Sequence, residues 1–180
     1  FRRVLFRSDQ SPIQGGLGLP EPKVIAPGDP ARSVLLYRMA STGSGHMPHL
    51  GSRLVHDQGL RLVQSWIASM RSDPSKLPGP VREQRDNERA LLERITRGDL
   101  TSVDGLLSSG SGALALALAV NDGSLPAEVK SLAIRKGNEL QDPLKRDLFE
   151  RFIPVEERRK TLGSHFAPET VLDRKSTRLN

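Results

Sequence analysis

Three observations predict that this chain of 180 residues is mainly α-helical. Apolar residues recur three or four positions apart in several segments, which is the period of a helix that buries one face. Residue pairs typical of helix ends, such as Asp29-Pro30 and Asp122-Gly123, bound some of these segments. The longest apolar run, residues 113–120, alternates Ala with Leu, and both are strong helix formers and poor strand formers. We therefore expect this run to be a buried helix rather than a strand.

The first part of the chain is predicted to contain turns and one short helix. Residues 9–30 are rich in Gly and Pro, which favour turns. Asp29 and Pro30 then predict the start of a buried helix over residues 31–39, with Asp29 as its N-cap.

A polar loop and a second helix follow. The loop carries the run His-Met-Pro-His-Leu at positions 46–50. Asp57 is predicted to cap a helix that ends near Met70. Trp66 lies beside the apolar stripe of this helix, which consists of Leu60, Val63, Ile67 and Met70.

The second half of the chain is predicted to be a small array of helices behind a linker. Residues 73–86 are expected to form the linker, because they contain Asp73-Pro74 and Pro78-Gly79-Pro80. The predicted helical segments are 87–96, 99–107, 113–121, 126–136, 143–152 and 155–162. The expected organisation is therefore one subdomain over residues 9–72 and a helical spacer over residues 87–172.

The two ends of the chain are predicted to be translated sequencing adapters rather than protein sequence. Residues 1–8 and 173–180 can be encoded by DNA strings that are nearly reverse complements of each other. Two unrelated peptide ends have no physical reason to share that relation. Both ends are therefore left out of the fold and charge predictions.

The net charge of +6 falls almost to zero without these ends. They hold six of the 27 basic residues and one of the 21 acidic residues, which leaves 21 basic and 20 acidic residues. A strongly basic chain favours nucleic acid as a partner, whereas a nearly neutral one does not. One Trp and one Tyr also offer few rings on which bases could stack. No nucleic-acid partner is expected.

Two further features of the composition exclude classes of protein. The chain has no cysteine, which excludes disulfides, thiolate metal sites and covalent attachment of a c-type haem within it. Its apolar runs are far shorter than the ~20 residues that span a bilayer, so no transmembrane segment is expected.

Residues 17–70 resemble the C-terminal half of a class I cytochrome c domain. The resemblance is to the domains found in large multidomain haem-binding proteins of planctomycete and verrucomicrobial type. It lies in the turn Pro27-Gly-Asp-Pro, the loop Met47-Pro48 and the pair Trp66-Ile67 near the end of the next helix, in that order. The resemblance implies that a Cys-x-x-Cys-His motif, with the proximal His, lay upstream in a longer parent protein.

The resemblance also implies a set of haem-binding residues in that parent. Met47 is expected to be the distal axial ligand of the haem iron, and Pro48 to stiffen its loop. A thioether opposite an imidazole raises the haem potential and suits electron transfer. Tyr37, Leu50 and Trp66 are expected to line the same pocket. The chain alone is expected to hold no haem c, because it has no cysteine.

The second half resembles the helical spacer that precedes another haem domain in the same proteins. Residues 147–152 and 156–159 carry this resemblance. It implies a segment without catalytic residues that positions one haem domain relative to the next, within a periplasmic or secreted protein. The implied partners are the other haem domains of the parent. The implied function is electron transfer rather than catalysis by this segment.

Two alternatives stay open on the residues alone. A Met before a Pro can also plug a small core, so the chain can instead be a helical interaction or scaffold module without a cofactor. His46 and His49 can contact a metal, but only two ligands are local and no carboxylate lies beside them in sequence. Solvated or haem-edge histidines are expected instead.

Overall fold

The computed structural model describes residues 9–13, 15–43, 45–47 and 54–158. These residues form seven α-helices and contain no strand, which confirms the prediction of a mainly α-helical fold. The helices are α1 (Val34–Ala40), α2 (Asp57–Ser69), α3 (Gly79–Thr96), α4 (Ser102–Leu107), α5 (Gly110–Asp122), α6 (Ala127–Glu139) and α7 (Pro143–Arg146). Short 3-10 turns lie at Pro30–Arg32, Pro74–Lys76, Glu150–Phe152 and Val155–Glu157. The ends predicted to be adapter-derived lie outside the described residues.

The start of α1 differs from its prediction. The Asp29 side chain makes no capping hydrogen bond, and the 3-10 turn Pro30–Arg32 precedes the helix. The buried hydroxyl of Ser33 accepts a hydrogen bond from the Ala26 amide at 3.0 Å and donates one to the Asp29 carbonyl at 3.1 Å. These bonds hold the turn together, and the α-helix begins only at Val34.

The cap of α2 is His56 rather than the predicted Asp57. The Nδ1 atom of His56 accepts a hydrogen bond from the Gly59 amide at 2.9 Å, and Asp57 is the first helical residue. A carboxylate in the first turn still interacts favourably with the helix dipole. The predicted apolar stripe is confirmed at Leu60 and Ile67, which are fully buried.

Helix α3 begins inside the predicted linker, at Gly79 instead of Asn87. Pro80 is compatible with this start, because a proline in the first helical turn lacks only an N–H that would have no partner there. Arg82 ties the helix to the preceding loop, since its Nη2 lies 3.1 Å from the carbonyl oxygens of both Ser75 and Leu77.

Helix α5 is the central element of the fold. Most of its residues are buried, and it contacts each of the other α-helices. It contains the Ala-Leu run at 113–120, so the prediction of a buried helix is confirmed. Gly123 ends it with φ +74, a left-handed conformation that favours glycine.

The apolar core is continuous across the predicted domain boundary. Buried side chains from α1 and α2 belong to the same cluster as those from α4, α5 and α6. Polar contacts add to this packing, because Gln64 on α2 donates to the Asp122 carboxylate at 2.9 Å at the end of α5. The division into two units stays a prediction from the sequence. None of the helices in the described ranges has the length and apolar character needed to cross a membrane.

Candidate functional site

Met47 presents an exposed side chain beside the end of α1. Its backbone amide donates a hydrogen bond to the Arg38 carbonyl at 3.0 Å, which anchors the loop to the helix. The residue is 45% exposed. Gly45 lies against the Tyr37 ring, since a Cβ at Gly45 would be 3.5 Å from Tyr37 Cε1. The loop that carries Met47 therefore touches α1 at two places, with Gly45 against Tyr37 and the Met47 amide on Arg38.

His46, the neighbour of Met47, is held by a backbone carbonyl. Its Nδ1 lies 2.6 Å from the Ser41 carbonyl oxygen, which can only accept, so Nδ1 carries the proton. In the neutral ring Nε2 is then an acceptor, and this atom is buried without a hydrogen-bond partner. The ring is half-buried, and its expected place as a solvated or haem-edge histidine stays a prediction.

Tyr37 is buried, and its hydroxyl is used within the chain. The hydroxyl donates to the carbonyl of Leu144 on α7, and only 1% of the residue is exposed. Burial raises the pKa of the Tyr37 phenol well above its ordinary value of 10.0, and the carboxylates of Asp147 and Asp142 add to the rise. Tyr37 thus lies against Gly45, in the loop that carries Met47, and donates to Leu144, in the predicted spacer.

We expect Tyr37 to ionise only well above pH 10 in the folded chain. It is the only tyrosine, so tyrosinate absorbance reports on this residue alone. Because its folded pKa is raised, stability is retained below pH 10 and is lost as the pH rises from 10 towards the folded pKa. An ultraviolet pH titration in buffer and in concentrated urea tests this. A midpoint near 10 in urea is expected, and the same midpoint in a chain shown to be folded by circular dichroism would contradict the burial of Tyr37.

Trp66 lies on a face of α2 that is largely uncovered. Trp66 is 41% exposed and Leu62, four residues earlier on the same face, is 72% exposed. The opposite side of the helix, with Leu60 and Ile67, is fully buried. Helix α2 therefore has an apolar surface on both sides, and only one of them is covered within the described residues.

Sequence reasoning missed a cavity of about 170 Å³ between the turn before α1 and helices α2, α3 and α5. Asp29, Gln64 and Arg85 line it, and each has a buried polar atom without a hydrogen-bond partner. These residues are far apart in the chain, and no sequence spacing relates them. Only the tertiary packing brings them together.

Pro48, His49 and Leu50 lie outside the described residues. Within the part of the chain that the structure describes, no three His, Cys, Asp or Glu side chains form a metal-binding group. The haem-pocket roles expected of Tyr37, Met47 and Trp66 stay predictions from the sequence resemblance. No protein-family model, curated protein or solved structure matches the chain.

Proposed function

We propose that this chain is an electron-transfer segment of a longer c-type cytochrome, in which it supplies the distal, methionine side of a haem pocket. The observation that carries the proposal is the exposed side chain of Met47 on a loop anchored to α1. Thioether sulfur is soft and uncharged, and it is an established axial ligand of haem iron in cytochromes c. When bound, the haem supplies the one-electron chemistry.

The residues of this chain fit one half of such a site. The hydrogen bond from the Met47 amide to the Arg38 carbonyl limits the positions that the sulfur can occupy. The chain has no cysteine, so the covalent attachment and the proximal His have to come from elsewhere in the longer protein. This division of ligands agrees with the sequence resemblance.

The uncovered face of α2 supports the same proposal. Leu62 and Trp66 expose apolar surface that water solvates poorly. A further apolar helix of the longer protein, packed on this face, would bury both side chains. The resemblance implies that the first helix of the cytochrome domain takes this place.

The helical second half is proposed to hold this haem domain in a fixed position relative to the next one. Several contacts support a rigid connection. The Tyr37 hydroxyl donates to Leu144, and the Thr42 amide and hydroxyl each lie 3.1 Å from the Asp147 carbonyl oxygen. A rigid spacer suits electron transfer, because it maintains the distance between redox centres.

Met47→Leu in the haem-loaded longer protein is expected to abolish the near-infrared band of thioether–iron ligation and to lower the haem potential. Leucine keeps the approximate volume but has no sulfur, so packing changes little. Met70→Leu is the matched control, because Met70 is a half-buried methionine at the end of α2 and should leave the band unchanged.

Two outcomes would count against the proposal. An unchanged spectrum in Met47→Leu would show that Met47 is no ligand. A coding sequence upstream of Pro27 that contains no Cys-x-x-Cys-His motif would remove the haem altogether. The alternative of a helical scaffold module without a cofactor would then be favoured. The Tyr37 hydroxyl already donates to Leu144 on α7, which is a contact within the chain.

A further inference from the structure

The loop that carries Met47 is attached to the predicted spacer at Thr42. The Thr42 amide donates a hydrogen bond to the Asp147 carbonyl at 3.1 Å. The Thr42 hydroxyl lies 3.1 Å from the same carbonyl oxygen and 3.1 Å from Oε2 of Glu150, so these two acceptors share its single hydrogen. Two groups of one half-buried residue are thus held by the segment 147–150, more than 100 residues later in the chain.

Gly43, the next residue, packs directly against Asp147. A Cβ at Gly43 would overlap the Asp147 carboxylate and would lie only 3.1 Å from Asp147 Cβ. Rotation of the carboxylate alone would not relieve this contact, because Cβ does not move with it. The absence of a side chain at Gly43 therefore allows the loop to approach the segment 147–150 this closely.

Hydrogen bonds within the loop connect Gly43 with Met47. The His46 amide donates to the Gly43 carbonyl at 2.9 Å, and His46 Nδ1 donates to the Ser41 carbonyl at 2.6 Å. Met47 follows directly and donates its amide to the Arg38 carbonyl at 3.0 Å. These bonds close the loop onto the end of α1, so a shift at Gly43 is passed on to Met47.

We propose that Thr42 is a positioning residue for the Met47 thioether, and that it acts through its contacts with the segment 147–150. This inference rests on the proposed function, because it requires Met47 to bind the haem iron of the longer protein. Groups that orient a metal ligand without touching the metal typically change metal affinity or activity by roughly 10–100-fold when they are removed. The predicted spacer would then determine how firmly Met47 is held as a ligand, in addition to the distance between haem domains.

A purely structural role for Thr42 predicts a different result from a positioning role. Loss of its hydroxyl would then lower the stability of the whole chain and would loosen the loop and the core to the same degree. A positioning role predicts that the loop loosens more than the core does. Amide hydrogen exchange separates the two cases, because it measures the opening of each region. The Met47 amide reports on the loop, and the amide of Ala117, a fully buried residue of α5, reports on the core.

Hydrogen exchange of the full ¹⁵N-labelled chain, followed by nuclear magnetic resonance, tests the proposal without haem. Thr42→Val keeps the shape of the side chain but removes the hydroxyl. It is expected to raise the exchange rate of the Met47 amide, relative to that of Ala117, about tenfold. Thr42→Ser restores the hydroxyl and should return this ratio close to the wild-type value. Thr96→Val is the matched control, because the Thr96 hydroxyl donates within α3, to the Glu93 carbonyl at 2.8 Å, and its loss should leave the ratio unchanged.

Gly43→Ala is a second variant, which decides the question even if Thr42→Val does not fold. The added methyl group displaces the loop from Asp147 and should raise the same exchange ratio. Gly79→Ala should not, because a Cβ at Gly79 meets nothing within 4 Å. An unchanged ratio in Thr42→Val, or in Gly43→Ala where that variant alone folds, would overturn the proposal. A ratio that Thr42→Ser does not restore would also overturn it, because the hydroxyl would then not be the cause.

The haem-loaded longer protein distinguishes a failure of this inference from a failure of the proposed function. Added imidazole competes with the Met47 thioether for ferric iron, so its affinity measures how firmly the thioether is held. Thr42→Val is expected to raise the affinity for imidazole about tenfold while the near-infrared thioether–iron band is retained before imidazole is added. Unchanged affinity, in a protein that loses this band in Met47→Leu, would overturn the positioning role alone. A band that persists in Met47→Leu would overturn both the positioning role and the proposed function.

Discussion

Leu116→Ala is expected to lower the free energy of unfolding by about 3–4 kcal/mol. Leu116 is fully buried in α5, the helix that contacts all the other α-helices. Truncation removes the transfer free energy of the deleted carbons and leaves a cavity that surrounding helices fill only in part. Because a domain is typically stable by about 5–15 kcal/mol, this loss is a large share of the total.

Urea unfolding of the two chains measures this effect as a shift of the midpoint at constant slope. Leu62→Ala is the matched control, since it deletes the same atoms at a position that is 72% exposed. The control is expected to change stability by no more than about 0.5 kcal/mol. Equal losses in the two variants would contradict the central position of α5.

Gly137→Ala is expected to destabilise the chain by about 3 kcal/mol, although alanine is the better helix former. Gly137 lies on the buried side of α6, and a Cβ there would be 2.2 Å from Cγ of Phe149. Cγ is the first atom of a fully buried ring, so it cannot move aside without displacing the whole side chain. The clash therefore costs more than the gain in helix propensity.

Gly79→Ala is the control for this substitution, because a Cβ at Gly79 meets nothing within 4 Å. Its effect is expected to stay within about 0.5 kcal/mol. A double-mutant cycle with Phe149→Leu identifies the cause. The cost of Gly137→Ala should fall markedly beside the smaller leucine, whereas additive costs would show that the Phe149 ring is not responsible.

The elements that sequence predicted well are those specified by local chemistry. The run at 113–120 forms a helix because Ala and Leu are strong helix formers, although their alternation has the two-residue period of a strand. Gly123 stops that helix because glycine adopts the left-handed conformation without strain. Neither result needs knowledge of distant residues.

The errors at helix starts have a different origin. Asp29 and Asp57 are common N-cap residues, yet Asp29 makes no capping bond and His56 replaces Asp57 as the cap. Several side chains near a helix start can accept the same amide hydrogen, and the path of the preceding chain selects one. The prolines around Gly79 likewise suit a linker and a first helical turn equally, so the sequence alone did not place the start of α3.

The candidate site was predictable only in part. The loop position of Met47 follows from its polar and turn-forming neighbours. The partner of the Tyr37 hydroxyl does not, because Leu144 is 107 residues away in sequence. The cavity-lining residues Asp29, Gln64 and Arg85 are also separated by long stretches of chain. Reasoning from sequence identifies residue types and spacings. These sites form only when segments that are distant in the chain pack together.

The link from α1 to α7 has a consequence for the time course of synthesis. Tyr37 and Thr42 are made early, but their partners Leu144 and Asp147 emerge from the ribosome more than 100 residues later. At about 5–20 residues per second, that interval lasts roughly 5–20 s. During it, the Tyr37 hydroxyl and the Thr42 amide lack the carbonyl acceptors that they have in the finished chain. The α1 region of the nascent protein therefore completes its hydrogen bonds only after α7 has been made.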